Sequence, residues 1–385
     1  MNIRQLFFFI LLSSPFIPAQ KNSLATFPPE WKEIASENKN IKVIRLTSSK
    51  TMDCGLYFYN DGFNLEDSTL IFVSERCGKA NLFLMNLRTG SIEQLTDEKK
   101  IKARGATYCA KQRMIYYSTD KEIKSYNTAT KQIEVLFTIP DKYYTSASLS
   151  STRDGKYIAF AELKKPSLST GNKNSGDTNY HSIIYIINTA AKTTDIVTKE
   201  DFYISHVVIN PVDFTKIIYC HEGDWDTVKQ RMWYINSDGS GKIPLRVEED
   251  AKLRVGHEYW SHDGKQINYQ IGKFDKRKYI GVISANDLNH YTEFPYADDK
   301  HTQQNSTGNL FLGDGMPKSP YISIYKKTKS TLEQTQLYKH NSSYSSEVSH
   351  PHPIFSPDDK SIYFTSDSEG NSDIYIIVLN NNLLH

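Results

Sequence analysis

Ser349-His350-Pro351-His352-Pro353-Ile354-Phe355-Ser356-Pro357-Asp358-Asp359-Lys360-Ser361-Ile362 contains both a repeated turn and a pair of candidate metal ligands. Its second half is a polar turn, Pro357-Asp358-Asp359-Lys360, running straight into an apolar strand centred on Ile362. The same order stands at Arg153-Asp154-Gly155-Lys156 before Ile158 and at His262-Asp263-Gly264-Lys265 before Ile267. Seven such strands occur, centred on Ile71, Ile115, Ile158, Ile217, Ile267, Leu310 and Ile362, with gaps of 44, 43, 59, 50, 43 and 52 residues. A polar loop and a second apolar strand follow, as in Ser74–Asn86, Gln230–Asn236 and Ser366–Leu379. A strand-only repeat of roughly 40–50 residues is the mark of a propeller built from four-stranded blades. No extended stretch has helical periodicity. The expected fold is therefore all-β, a seven-bladed β-propeller.

The seventh copy ends at Ile376-Ile377-Val378-Leu379 with six residues remaining, too few for an outer strand. Lys42-Val43-Ile44-Arg45-Leu46-Thr47, before the first copy, is strand-like and is expected to complete the last blade and close the ring. Residues 20–385 then form one propeller domain. Asn172–Asn179, rich in Gly, Ser and Asn, reads as a loop inserted in the third blade and explains the 59-residue gap. Residues 1–19 stand apart. Arg4, the apolar run Leu6 to Leu12 and the small Ala19 before Gln20 read as a secretory signal peptide, so the mature protein is expected in the periplasm or secreted. That run is too short to span a bilayer, and no later segment is long and apolar enough to do so.

The formal charge of +2 and the 23% of charged residues leave no excess of either sign to favour nucleic acid or a membrane surface. The 25 Tyr and 18 Phe, with many Ile and Thr, favour strands. Cys54, Cys77, Cys109 and Cys220 lack metal-ligand spacing; a disulfide is open to them, and buried thiols are the reading preferred for a core of this size.

In the first half of the opening stretch, His350 and His352 are each followed by a proline that fixes φ and donates no hydrogen bond. Both rings then fall on one side of an extended segment, with Glu347 close enough in sequence to join them. The repeat adds weight. His206 is 11 residues before Ile217, His257 is 10 before Ile267, His301 is 9 before Leu310, and His350 and His352 are 12 and 10 before Ile362. Equal phase in a repeat means equal position in space, here the start of the innermost strand beside the channel. Gly105 and Ser148 hold that phase in the second and third copies, so the imidazoles are gathered on one side. The link between second and third strands opens on the same face. In the fourth blade it reads His221-Glu222-Gly223-Asp224-Trp225-Asp226 and leads to Arg231, either a fork for a ligand carboxylate or a solvated strand end. Trp225 reads as packing rather than a sugar platform.

These residues resemble the oligogalacturonate lyases, a polysaccharide lyase family of seven-bladed propellers. The resemblance rests on His221-Glu222-Gly223 with Arg231-Met232-Trp233, and on Gly256-His257-Glu258-Tyr259-Trp260. It continues through Leu312-Gly313-Asp314-Gly315 after His301, and through Ser349 to Pro353 with Phe355-Ser356-Pro357-Asp358-Asp359. It runs in the same order from about Phe58 to the C-terminus. It implies a manganese ion (or another divalent first-row metal) held by His301, His350, His352 and Glu347, the last standing where the family has a glutamine. It also implies His257 as catalytic histidine and Arg231 as its assistant, with His206 and His221 as further substrate contacts.

The activity so implied is β-elimination of short oligogalacturonides. A metal on the substrate carboxylate stabilises an enolate-like transition state, and a neutral imidazole removes the adjacent proton. Glu347 brings a negative charge beside an anionic substrate, and another uronide is a further possible substrate. The expected partner is thus a uronide, acted on by a monomer. The contrasting reading is an exported, non-catalytic propeller of the TolB-like scaffold or ligand-binding kind.

Overall fold

The three turns share one hydrogen-bonding scheme. Asp154, Asp263 and Asp358 each accept from the hydroxyl two residues earlier, those of Thr152, Ser261 and Ser356, at 2.7, 2.7 and 2.6 Å. Each also accepts from the backbone N–H two residues later, at 3.1, 3.1 and 3.3 Å. The residue after the aspartate is left-handed, with φ of 66° at Gly155, 69° at Gly264 and 59° at Asp359. Glycine adopts this without a Cβ clash. Asp359 is held there by its carboxylate, which accepts from the Ser306 N–H at 3.0 Å, its hydroxyl at 2.7 Å and Asn305 Nδ2 at 2.9 Å.

These turns deliver the chain into the second strand of each blade in a computed structural model that describes residues 24–146, 148–164, 181–223, 228–247, 253–272, 278–297, 299–380 and 383. The structure is all-β, with seven antiparallel sheets and two 3₁₀ turns among the described residues. The first blade runs from Asp53–Cys54 and Phe63–Asn64 at the centre through Thr69–Ser74, Asn81–Asn86 and Ile92–Gln94. The second contains Ile101–Cys109, Met114–Thr119, Glu122–Asn127 and Ile133–Thr138. Blades three to six follow the same order, with innermost strands Ser150–Ser151, Val207–Ile209, Arg254–Trp260 and Thr302–Gln304. Seven apolar clusters hold the ring, one between each pair of neighbouring blades: Ile280, Phe311 and Tyr325 join the fifth to the sixth, and Leu46, Phe63, Phe72, Ile354 and Ile374 join the seventh to the first.

The seventh blade takes strands from both ends of the chain. Ile354–Phe355, Ser361–Ser366 and Asp373–Leu379 are continued by Ile41–Arg45, paired from Ile41 with Leu379 to Arg45 with Tyr375. Two further pairings involve the N-terminal stretch: Lys32–Ile34 adds a fifth strand to this blade, and Thr26–Phe27 pairs with Ile92–Gln94 of the first. Arg76 fastens the junction. Its guanidinium pairs with Glu30 at 2.9 Å and Asp53 at 3.0 Å and packs over Phe27, Phe72 and Phe83.

Residues 1–19, Asn172–Asn179 and Trp225 lie outside the described residues. No described helix is long and apolar enough to cross a membrane. All four cysteines are free thiols; Cys54, Cys109 and Cys220 are buried and Cys77 is exposed.

Candidate active site

The equal phase of the histidines becomes a cluster in space. The rings of His301 and His352 have centroids 3.9 Å apart, those of His301 and His350 5.5 Å, and those of His257 and His301 4.8 Å. One nitrogen from each of His301, His350 and His352 lies within 4.8 Å of the others, and all three residues are buried. Each ring is oriented by a neighbour. His301 Nδ1 lies 2.6 Å from Asp314 Oδ2, which leaves Nε2 as its lone-pair nitrogen, and His352 Nδ1 is 3.2 Å from the His350 carbonyl. Burial lowers the pKa of all three, so they are neutral near neutral pH, as ligand imidazoles must be. His352 Nε2 is buried with no hydrogen-bond partner, and with Nδ1 turned to the His350 carbonyl it is the lone-pair nitrogen. An unmatched buried acceptor is unfavourable unless something binds it. Three converging neutral imidazoles, one of them with an orphaned acceptor nitrogen, fit a divalent metal.

Glu347 does not join this group. Its carboxylate stands 3.6 Å from His350 Nδ1, but its side chain is 80% exposed and lies at the rim. Lys300, unnoticed in the sequence, places Nζ 2.9 Å from His350 Nε2.

Beneath the imidazoles the channel is closed by Gly55–Asn60, between the two inner strands of the first blade. Phe58 stacks parallel to His352, centroids 6.1 Å apart, and presents an edge to His257 at 6.3 Å. Gly55 has no room for a side chain, because a Cβ there would come within 2.4 Å of the Tyr363 ring. Arg104, from the second blade, ties this floor to the metal-side segment. It donates to the carbonyls of Gly55 and Leu56 at 3.0 and 3.1 Å and to that of Glu347 at 3.2 Å.

Above lies a cleft of about 490 Å³ over blades four to six, lined among others by His206, Arg231, Arg254, His257, Lys278 and Lys300. His257 sits in a bulge between Gly256 and Tyr259 with φ 55°. Its Nδ1 is 2.6 Å from Gln270 Oε1, while Gln270 Nε2 donates to the Tyr296 hydroxyl at 2.7 Å and the Asp299 carbonyl at 3.3 Å. With its amide nitrogen so engaged, Gln270 must accept from His257 Nδ1–H, and Nε2 is the unprotonated nitrogen. Burial, reinforced by His301, lowers the His257 pKa to about 3, so the ring is neutral.

Arg231 is buried. It donates to the carbonyls of Val255 and Gly223, each at 3.1 Å, and pairs closely with Glu222. Burial alone would raise Glu222, but His206 and Arg231 bring it down to about 2, so it is a carboxylate. His206 bounds the cleft, with Nε2 2.8 Å from the Tyr57 hydroxyl and Nδ1 turned toward Glu222 at 3.4 Å. His221 is elsewhere. It is 2% exposed, stacked on Phe202 at 3.9 Å and 3.5 Å from Glu200, so the expected substrate contact is a packed residue between the third and fourth blades.

Six of the eight expected site residues thus gather around one cleft: His257, His301, His350 and His352 together, with Arg231 and His206 across it, while Glu347 stands at the rim and His221 packs elsewhere. Of the residues missed, Lys300 and Asp314 stand beside or within motifs already noted, and Gln270 lies on the strand paired with that of His257. Arg104 and Phe58 gave no local signal.

A family profile described as oligogalacturonate lyase matches residues 30–383. An oligogalacturonide lyase of Pectobacterium atrosepticum is 25% identical over 365 residues, covering 87% of this chain and 92% of the relative. An oligogalacturonate lyase of Dickeya dadantii is 27% identical over 363 residues, with the same coverage of 87% and 92%. Among solved structures, an oligogalacturonate lyase in complex with manganese superposes with a TM-score of 0.87 at 22% identity, over 94% of this chain and all (100%) of that one.

Proposed function

Because this chain belongs to the oligogalacturonate lyase family, we propose that it is a metal-dependent lyase that cleaves short oligogalacturonides by β-elimination, with His257 as base. The observation that carries this reading is the placing of one neutral, oriented imidazole, His257, between a buried group of three others and a cleft edged with cations.

His301, His350 and His352 would hold the metal, manganese being the ion named with the relative of known structure. Glu347 stands near enough for a modest side-chain shift to bring its carboxylate in, and hard oxygen donors suit that ion. When bound, the ion would draw charge from a substrate carboxylate and so acidify the neighbouring C–H. Arg254, Lys278 and Lys300 favour approach of a polyanion, and Arg231 supports the negative charge that develops. His257 Nε2 takes the proton from the carbon beside the carboxylate. The electron pair released becomes the new double bond as the glycosidic C–O bond breaks, and the departing oxygen gains a proton. Glu222, ionised and paired with Arg231, keeps that guanidinium aimed along the wall. The aromatic floor at Tyr57 and Phe58 excludes water from below.

We also propose that the substrate is met after export, on the strength of the charged start and apolar run of residues 1–19. The test of activity is direct. Purified protein with manganese and a defined oligogalacturonide should generate the ultraviolet absorbance of an unsaturated uronide, and chelation should abolish it. His257→Ala should bind manganese as the parent does and produce no absorbance. Equal rates in parent and variant would refute the assignment.

A further inference from the structure

The same cleft carries a second set of metal-type donors. His206 precedes the inner strand of the fourth blade, Cys220 ends that blade's second strand, and Glu258 comes from the bulge in the inner strand of the fifth. One donor atom from each lies within 4.8 Å of the other two. Cys220 Sγ is 3.7 Å from His206 Nδ1 and 3.1 Å from Glu222 Oε1. The Tyr57 hydroxyl, 2.8 Å from His206 Nε2, turns the opposite ring nitrogen toward the thiol.

Glu258 supplies the independent sign that something belongs here. It is 1% exposed, and neither carboxylate oxygen has a hydrogen-bond partner. A buried carboxyl group with both oxygens unmatched is strongly unfavourable. Arg231, the nearby cation, is committed to Glu222 and to two backbone carbonyls. The residue is also open to ligands, since His206, Cys220, Glu222 and Glu258 all line the cleft.

We propose that His206, Cys220 and Glu258 form a second divalent-cation site, selective for a borderline-soft ion of the zinc or cobalt type. One imidazole, one thiolate and one carboxylate are the donor set such ions prefer, whereas manganese favours oxygen-rich sites. Zinc bonds of about 2.0–2.3 Å put tetrahedral donors about 3.3–3.8 Å apart. The present separations therefore close with small side-chain movements. Glu222 Oε1, already beside Cys220 and His206, is the fourth donor within reach. On binding, the thiol gives its proton to solvent and its sulfur lone pair to the metal, and Glu258 acquires the counter-charge it lacks. The two sites would then differ in ion preference, the histidine trio serving the elimination and the sulfur site holding the wall around Arg231.

Cobalt(II) titration of the purified full-length chain, with manganese present throughout, tests this. A thiolate-to-cobalt charge-transfer band should appear at one equivalent, be absent in Cys220→Ser, and need at least tenfold more cobalt in Glu258→Gln. In the unmodified protein, zinc should protect Cys220 from a small alkylating reagent and leave the exposed Cys77 reactive. This second measurement decides the matter if either variant fails to fold. Cobalt uptake without a sulfur band, together with alkylation of Cys220 unaffected by zinc, would overturn the proposal. Because neither readout is catalytic, failure here leaves the lyase reading standing, and failure of the lyase assay leaves this one standing.

Discussion

His257 Nδ1 lies 2.6 Å from Gln270 Oε1, and that contact leaves Nε2 as the unprotonated ring nitrogen. Gln270 cannot flip without losing its bonds to Tyr296 and Asp299. Gln270→Leu should therefore lower kcat by about tenfold to a hundredfold, with KM and bound manganese little changed. Steady-state kinetics and metal analysis on one preparation check this, and an unaltered kcat would remove Gln270 from the mechanism.

Asp314 stands in the same relation to His301, with Oδ2 at 2.6 Å and its other oxygen accepting the His301 N–H at 2.8 Å. Asp314→Asn keeps the size but loses the charge that fixes the ring. Manganese affinity should fall about 10–100-fold. Titration followed by electron paramagnetic resonance of free manganese reads this directly, and unchanged affinity would mean that the ring needs no such support.

Glu347 is a surface carboxylate beside His350 rather than a member of the buried trio. Glu347→Gln should leave folding and metal content intact while removing a negative charge from the path of an anionic substrate. KM should drop by about two- to fivefold at low ionic strength, and the difference should shrink in salt. Loss of bound manganese in Glu347→Ala, but not in Glu347→Gln, would identify Glu347 as a ligand.

Asp373 lies at the closure of the ring, 3.2 Å from the Thr47 hydroxyl and 3.9 Å from Arg45. Burial, with the neighbouring Asp53, raises its pKa from 3.8 to about 7. The folded chain thus holds this proton more tightly than the unfolded chain. The resulting stability is fully present below pH 3.8 and lost as pH rises through about 7. Asp373→Asn keeps the acceptor for Thr47 and removes that loss. Its Tm should match the parent near pH 4 and exceed it by about 2–4 °C at pH 8. Parallel melting curves at both pH values would show that the seam does not titrate.

By itself, the sequence determined the number of blades, the turns that start their second strands and the common phase of His206, His257, His301, His350 and His352. All of these are periodic or local, because a turn such as Ser356-Pro357-Asp358-Asp359 satisfies its own hydrogen bonds within a few residues. Closure through Ile41–Arg45 was legible for the related reason that the last blade was one strand short. Only the tertiary structure decided which imidazoles share a point, that His221 packs away from them, and that Glu347 faces the rim. It also decided that Phe58 and Arg104 build the floor and its anchor. Those contacts join residues far apart in the chain, as in Arg104 with His350, 246 positions away. No local pattern specifies such pairs: they arise where separate blades meet, and the packing around each ring, rather than residue type, then decides whether an imidazole joins the cluster or packs away from it.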